Sequence, residues 1–303
     1  MAFRSGFVSI IGRPNAGKST LLNALVGEKV AIVTEKPQTT RTRIQGMLNV
    51  KAQRGRPAGQ IVFIDTPGVH KPDSRLNRKM MQEIHAALES RDIILLIVDA
   101  TDKTGPADQH VLDLVKKAGG TTFLLLNKID KLLKEKLLPL IDHYSKMHEF
   151  AEIIPISAAK KEGLDTLVEK IIRGLPEGPR YFPEDQFTDL PEKFIASEIV
   201  REKILLKTGK ELPYATAVVV ERFEDSDKLI KIAAAIYCER DGQKGILIGK
   251  GGQKLKEIGT AARMELEELL GKKIFLELFV KVKPGWRQSA AFVEELDWRR
   301  QLQ

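Results

Sequence analysis

Short aliphatic runs recur through the first 173 residues of the chain: GFVSIIG, QIVFID, DIILLIVDA, TTFLLLNK and AEIIPIS. Apolar runs of this length suit strands covered on both faces, as in a parallel sheet. Between them, SRLNRKMMQEIHAALES, ADQHVLDLVKKAG and GLDTLVEKIIRGL repeat apolar residues at helical spacing. Strand and helix in alternation predict a doubly wound α/β domain over residues 1–176. The pattern then breaks. GLPEGPRYFPEDQFTDLPEK carries four prolines among glycines and acids, which disfavours regular structure and marks a linker at 177–190. Beyond it the pattern predicts a helix over 192–207, strands in ATAVVVERF and LIKIAAAIY, a helical region over 250–270 divided at Gly259, and a last strand in KKIFLELFVKV. In the second of these strands Ile230, Ile232, Ala234 and Ile236 alternate with other residues, as one buried face requires. The order α-β-β-α-α-β defines a second, α+β domain over 191–303.

A length of 303 residues, 43% hydrophobic and 30% charged, suits two domains that each bury a core. The longest aliphatic stretch, IILLIV, is too short to span a bilayer, and MAFRSGFVSI lacks the features of a secretory signal, so the expected location is the cytoplasm. The single cysteine, Cys238, lies in the strand-like AAAIYCE and is expected to be a buried, inert thiol. His70, His85, His110, His143 and His148 show no metal-ligand grouping. The net charge of +8 invites a nucleic-acid partner, but its distribution is uneven: 27 basic residues face 19 acidic ones through residue 176, and 22 face 22 afterwards. A nucleic acid bound by the second domain must therefore meet a local patch. Residues 240–256 supply one, with Arg240, Lys244, Lys250, Lys254 and Lys256 against Asp241 alone.

Candidate chemistry begins directly after the first strand. GRPNAGKS followed by T, that is Gly12, Arg13, Pro14, Asn15, Ala16, Gly17, Lys18, Ser19 and Thr20, fits the P-loop pattern G-x-x-x-x-G-K-[ST] and opens a helix. Backbone N–H groups of such a turn wrap phosphate oxygens, Lys18 supplies charge at the β and γ phosphates, and Ser19 offers a hydroxyl to Mg²⁺. NKID follows another strand. There Asp130 can accept the N1–H and exocyclic amine of guanine, a donor pair adenine lacks, while Lys128 lies along the base and Asn127 ties the loop to the P-loop. ISAAK, with Ser157 and Ala158, fits the loop whose Ala158 N–H meets the guanine carbonyl. In DTPG, Asp65 is expected to hold Mg²⁺ through a water and the Gly68 N–H to meet the γ-phosphate, an interaction that hydrolysis ends. After Gly68 stands Val69, where many hydrolytic switches carry the glutamine that orients the attacking water.

In the second domain, GILIGKGGQKLKEIG sets a strand-like stretch before Gly249, Lys250, Gly251 and Gly252 and a helix after them. This fits the GXXG loop of a KH domain, whose glycines let a sugar-phosphate backbone approach the main chain while Ile248, Lys250 and Lys254 complete the contact surface.

The ordered set GRPNAGKS, QTTR, DTPG, NKID and SAA, followed by GKGG and a closing VKVKPGW, closely resembles the bacterial Era GTPases over essentially the whole chain. The resemblance implies a P-loop GTPase domain followed by a type II KH domain, hydrolysis of GTP with Mg²⁺, and catalytic parts in Lys18, Thr40 and Gly68. It favours Thr40 over Thr39 as the second hydroxyl ligand of Mg²⁺. It also implies binding of 16S rRNA near its 3′ end, help in maturing the 30S subunit, a monomer, and for some members peripheral contact with the inner face of the cell membrane. A membrane-linked signalling GTPase is thus the second reading, and an RNA-binding protein with a merely structural nucleotide the third. Because Val69 cannot hold a water, hydrolysis must be completed otherwise. One account is K⁺ held beside the phosphates by Asn15, as in several relatives; the other is the bound RNA or ribosomal partner.

Overall fold

The structure is a computed structural model that describes residues 2–36, 38–53, 55–69, 73–209 and 212–300. The chain divides into two compact units. The first comprises Met1–Ala31, Thr40–Lys71 and Lys79–Asp189, the second Ile32–Thr39, Pro72–Arg78 and Leu190–Gln303.

Along the first, β1 (Arg4–Gly12) leads to α1 (Lys18–Val26), β2 (Ile44–Val50), β3 (Gly59–Asp65), α2 (Arg75–Glu89, which belongs to this unit from Lys79 onward), β4 (Ile93–Asp99), α3 (Pro106–Ala118), β5 (Thr121–Asn127), α4 (Leu137–Ser145), β6 (Glu152–Pro155) and α5 (Leu164–Gly174). The strands stand in the order β2-β3-β1-β4-β5-β6. β1 runs parallel to β3 and β4, and β5 parallel to β4 and β6, while β2 is antiparallel to β3. The runs that read as doubly covered strands are that: Val8, Ile10, Ile61, Phe63, Ile94 and Leu124 are wholly buried. Each contributes about 1.5–3 kcal/mol on leaving water. The strand order reverses about β1, so the carboxyl ends of β1, β3 and β5 open on one crevice, where ligands bind in such sheets.

Two elements carry no clear signal in the sequence. β2 has its pattern interrupted by Gly46, where a Cβ would lie 2.7 Å from Leu22 and 2.8 Å from Val26, so the gap in the pattern is what lets α1 pack on the strand. α4 is short and contains Pro139, which sits in the first helical turn, where no N–H is required. The proline-rich stretch around 177–189 runs along this unit. Thr188 pairs with Gly46, and the wholly buried Gln60 accepts the N–H groups of Tyr181 and Phe182 at 2.9 and 3.0 Å.

The second unit carries α6 (Glu192–Lys207), α7 (Leu212–Ala215), β7 (Ala217–Asp225), β8 (Leu229–Cys238), α8 (Asp241–Ile248), α9 (Gln253–Leu270), β9 (Lys273–Val282) and α10 (Ala290–Glu295). The sheet runs β7-β8-β9, antiparallel then parallel. Ile230, Ile232, Ala234 and Ile236 all face its core, against residues such as Ile204 and Ile258. Cys238 is buried there, and burial pushes its thiol pKa up, as an inert thiol requires.

Two expectations are corrected. The aliphatic GILI before the glycines is not strand but the end of α8, started by the Gln243 side chain, whose oxygen accepts the N–H groups of Glu239 and Arg240 at 2.8 and 3.1 Å. The helix α9 is continuous through Gly259. A Cβ at Gly259 would meet Leu278 of β9 at 3.3 Å, so the glycine serves close helix–sheet packing rather than a break. The α-β-β-α-α-β order holds, with the break between helices falling at the Gly249–Gly252 loop.

Candidate functional site: a phosphate loop, a base loop and a glycine clamp

Between β1 and α1 the chain turns through Asn15, with φ +63°, and Gly17, with φ +103°. A Cβ at Gly17 would stand 2.3 Å from the Asn127 side-chain nitrogen, so only glycine fits. The turn leaves the first N–H groups of α1 without intrahelical partners, which favours an anion there. The Lys18 ammonium donates to the carbonyls of Gly12 and Arg13 at 3.1 and 2.8 Å, which holds it beneath the loop. Burial lowers its pKa to about 8, against the pull of the Asp65 carboxylate. Burial likewise raises Asp65, opposed by Lys18 and by hydrogen bonds from Ser19 and Thr40.

Three oxygens from three segments converge beside this lysine. Ser19 Oγ lies 2.7 Å from Asp65 Oδ2 and 2.9 Å from Thr40 Oγ1, and Thr40 Oγ1 lies 3.3 Å from Asp65 Oδ2. The other carboxylate oxygen, Asp65 Oδ1, is buried with no hydrogen-bond partner. Two hydroxyls and a carboxylate, with one buried oxygen unsatisfied, are a hard-donor set that fits Mg²⁺. The neighbouring Thr39 hydroxyl is turned away, 2.6 Å from the Lys36 carbonyl. Gly68 lies against the P-loop; a Cβ there would meet Pro14 at 2.7 to 2.9 Å. Val69 is partly buried against the first unit's core rather than displayed to solvent, and the expectation for His70 falls outside the described residues.

Asn127, at the end of β5, joins the loops as its sequence position implies. Its amide donates to the Ala16 carbonyl at 2.8 Å, and its oxygen accepts the Ala158 N–H at 3.0 Å. Asp130 accepts the Ser157 hydroxyl at 2.6 Å, which fixes one carboxylate oxygen. Lys128, with φ +67°, bonds Asp99 at the end of β4. Burial of Asp99 is outweighed by hydrogen bonds from Lys128 and Thr101, and its carboxyl is held below its ordinary value. Asp99 does not stand out in the sequence; its one signal there is an acid closing the run IILLIVDA at a strand's carboxyl end. Arg13 is the member of the P-loop set engaged elsewhere: its guanidinium donates to Asp108 at 2.8 Å.

In the second unit, Gly249, Gly251 and Gly252 all have positive φ, +71°, +60° and +79°. A Cβ at Gly249 would meet that of Lys254 at 2.6 Å, whereas Gly251 and Gly252 face open space. The division of labour is clear: Gly249 permits the turn onto α9, and the next two glycines leave main chain accessible at a helix N-terminus. Lys250 is exposed, and Lys254 bonds Glu257 at 2.9 Å.

A doubly wound sheet with a P-loop, an NKID loop tied to it by Asn127 and a following KH fold defines a two-domain GTPase. Family models agree: one described as a 50S ribosome-binding GTPase matches residues 7–128, and one described as a KH domain matches residues 211–287. The chain is 51% identical over 298 residues to the GTPase Era of Geobacter metallireducens, covering 98% of each, and 49% identical to that of Syntrophus aciditrophicus, covering 98% of this chain and 95% of that one. Its structure superposes with a TM-score of 0.92 on a variant Era of Aquifex aeolicus bound to GDP and AlF4⁻. With a TM-score of 0.93 it superposes on an Era in complex with MgGDPNP and nucleotides 1506–1542 of 16S ribosomal RNA. Both structures are 42% identical to it, and each alignment covers 98% of this chain and 99% of the other. The chain belongs to the Era family of GTPases, and it is a GTP hydrolase. Among the described residues, no helix is long and apolar enough to cross a membrane, and no group of His, Cys, Asp and Glu could by itself hold a metal.

Proposed function

We propose that the chain is a Mg²⁺-dependent GTP switch whose KH domain binds single-stranded 16S rRNA near its 3′ end and assists 30S maturation, working in the cytoplasm as a monomer. The observation that carries this reading is the joining, in one chain, of a three-oxygen cluster on a P-loop with a GXXG loop open to a nucleic-acid backbone. The Era–RNA complex, at 42% identity and nearly full coverage, lends the RNA its name. Residues 1–176 act as the GTPase domain, 177–190 as the linker and 191–303 as the RNA-binding domain.

Ser19 and Thr40 would hold Mg²⁺ through their hydroxyls, with Asp65 behind them through a water, and the bound ion would supply positive charge to neutralise the phosphate oxygens. Lys18 and the Gly68 N–H meet the γ-phosphate, and Asp130 with the Ala158 N–H reads guanine. The RNA lies along Ile248, Gly249–Gly252 and Lys254. Completion of the hydrolytic site falls either to K⁺ beside Asn15, which is exposed on the P-loop with φ +63°, or to the RNA partner. Turnover in K⁺ and then Na⁺ at equal ionic strength, with and without the RNA, decides between them. A K⁺ stimulation that disappears in Asn15→Ala assigns the ion, and cation-independent rates that rise only with RNA reject it. Absence of GTP turnover under every condition would overturn the reading as a switch. Peripheral membrane association would appear as sedimentation with anionic vesicles instead of ribosomal subunits.

A further inference from the structure

Arg13 is the first residue beyond the β1 ladder, which ends where Gly12 pairs with Ile97 of β4. Gly12 is fixed there, since a Cβ on it would stand 2.5 Å from the Ile97 carbonyl oxygen. The two residues that follow serve two groups of the phosphate site. The Arg13 carbonyl accepts the Lys18 ammonium at 2.8 Å and the Ala16 N–H at 3.4 Å. Pro14 is the surface on which Gly68 rests, close enough that a Cβ on Gly68 would come within 2.7 Å of its ring. The proline locks its own φ and restricts the backbone of Arg13, which stiffens this limb of the loop. Whatever holds Arg13 therefore sets where both Lys18 and Gly68 stand.

What holds it is a carboxylate far along the chain. Arg13 Nη1 donates to Asp108 Oδ2 at 2.8 Å, and Nη2 lies 4.0 Å from the more exposed Asp102. Asp108 is 9% exposed, and the same Oδ2 accepts the Gly105 N–H at 3.0 Å at the start of α3. The capping bond fixes the carboxylate, and the carboxylate fixes the guanidinium. A cap needs only an acceptor oxygen, which an amide also supplies; the guanidinium draws its strength of binding from the charge.

We infer that Asp108 and Arg13 are positioning residues for the γ-phosphate end of the site, anchoring the limb at Arg13 and Pro14 so that Lys18 and Gly68 stand where that phosphate is met. The inference rests on the reading of Lys18 and the Gly68 N–H as γ-phosphate contacts, and all of its parts lie in the first unit. Because GDP lacks the γ-phosphate, the pair supports the triphosphate more than the diphosphate.

The test measures the affinity of the full-length protein, with Mg²⁺, for a non-hydrolysable GTP analogue and for GDP. The variants are Asp108→Asn, Arg13→Met, Arg13→Lys, the double variant of Asp108→Asn with Arg13→Met, and Lys18→Met. Asp108→Asn keeps an oxygen for the Gly105 N–H and removes the charge. It and Arg13→Met should each weaken analogue binding by roughly tenfold, the scale of a lost charge-assisted hydrogen bond, with GDP affinity changed less than about threefold. Arg13→Lys should recover part of the loss, since an ammonium can still bond one carboxylate oxygen. As the two residues act as one pair, the double variant should bind no worse than the weaker single one. If Arg13→Met does not fold, Arg13→Gln takes its place with the same expected loss. An effect of Asp108→Asn without one in the Arg13 variant would leave Asp108 a helix cap only and overturn the inference. So would equal losses for GDP and the analogue, or an additive double variant. Unmoved affinities in the Arg13 and Asp108 variants beside a weakened Lys18→Met would overturn the inference alone. An unweakened Lys18→Met would overturn the phosphate reading and the inference built on it together.

Discussion

At the scale of single residues the base loop gives the sharpest expectation. One oxygen of Asp130 is fixed by the Ser157 hydroxyl at 2.6 Å, which orients the carboxylate as an acceptor. Asp130→Asn exchanges an acceptor for a donor, so GTP affinity should fall by roughly one to two orders of magnitude while xanthosine triphosphate gains, its 2-oxo group now facing an amide. Competition binding with the two nucleotides measures this, and an unchanged preference removes Asp130 from base recognition. Val69 poses the opposite case. Its side chain packs on the core and has no polar atom, so Val69→Ala should cost about 1 kcal/mol of stability and leave the rate of hydrolysis within about a factor of three. A hundredfold loss with GTP affinity and stability intact, the scale of a catalytic group, would give Val69 a role denied to it here.

Elements are legible to the degree that their patterns are local. The P-loop, DTPG and NKID show in the sequence because each is a run of particular residues on consecutive positions, and the buried parallel strands show because both faces are apolar. What escapes a sequence reading depends on partners far along the chain. Gly46 and Gly259 are spaces for Leu22 and Leu278 and look, in sequence, like interruptions. α8 looks like strand because four apolar residues in a row carry no period, and only its capping by Gln243 distinguishes it. The bond of Arg13 to Asp108 joins positions 95 apart and leaves no local trace. The GXXG loop is readable as glycines but not as a division of labour, and that division makes a prediction. Gly251→Asp sets a carboxylate in open space where phosphate should pass, at a position of positive φ that aspartate tolerates better than most residues. Affinity for a single-stranded RNA ending in the 16S 3′ sequence should fall at least tenfold with GTP-analogue affinity unchanged. Equal RNA affinity in mutant and wild type would mean that the clamp lies elsewhere.

Across the whole sequence, the charge excess resides in the GTPase half and the GXXG loop has only its local basic patch, so an RNA bound at that loop should be attracted over a short range and recognised by its splayed bases as much as by its phosphates. A switch that controls such a site must alter the RNA affinity with the nucleotide, and linkage requires RNA to alter nucleotide affinity by the same factor. The most direct measurement is crosslinking of the full-length protein to cellular RNA with a GTP analogue or with GDP bound. Crosslinks should concentrate at the 3′ end of 16S rRNA in the GTP-analogue state and be several-fold fewer with GDP. Crosslinks of equal yield in both states, or spread over unrelated RNAs, would contradict it.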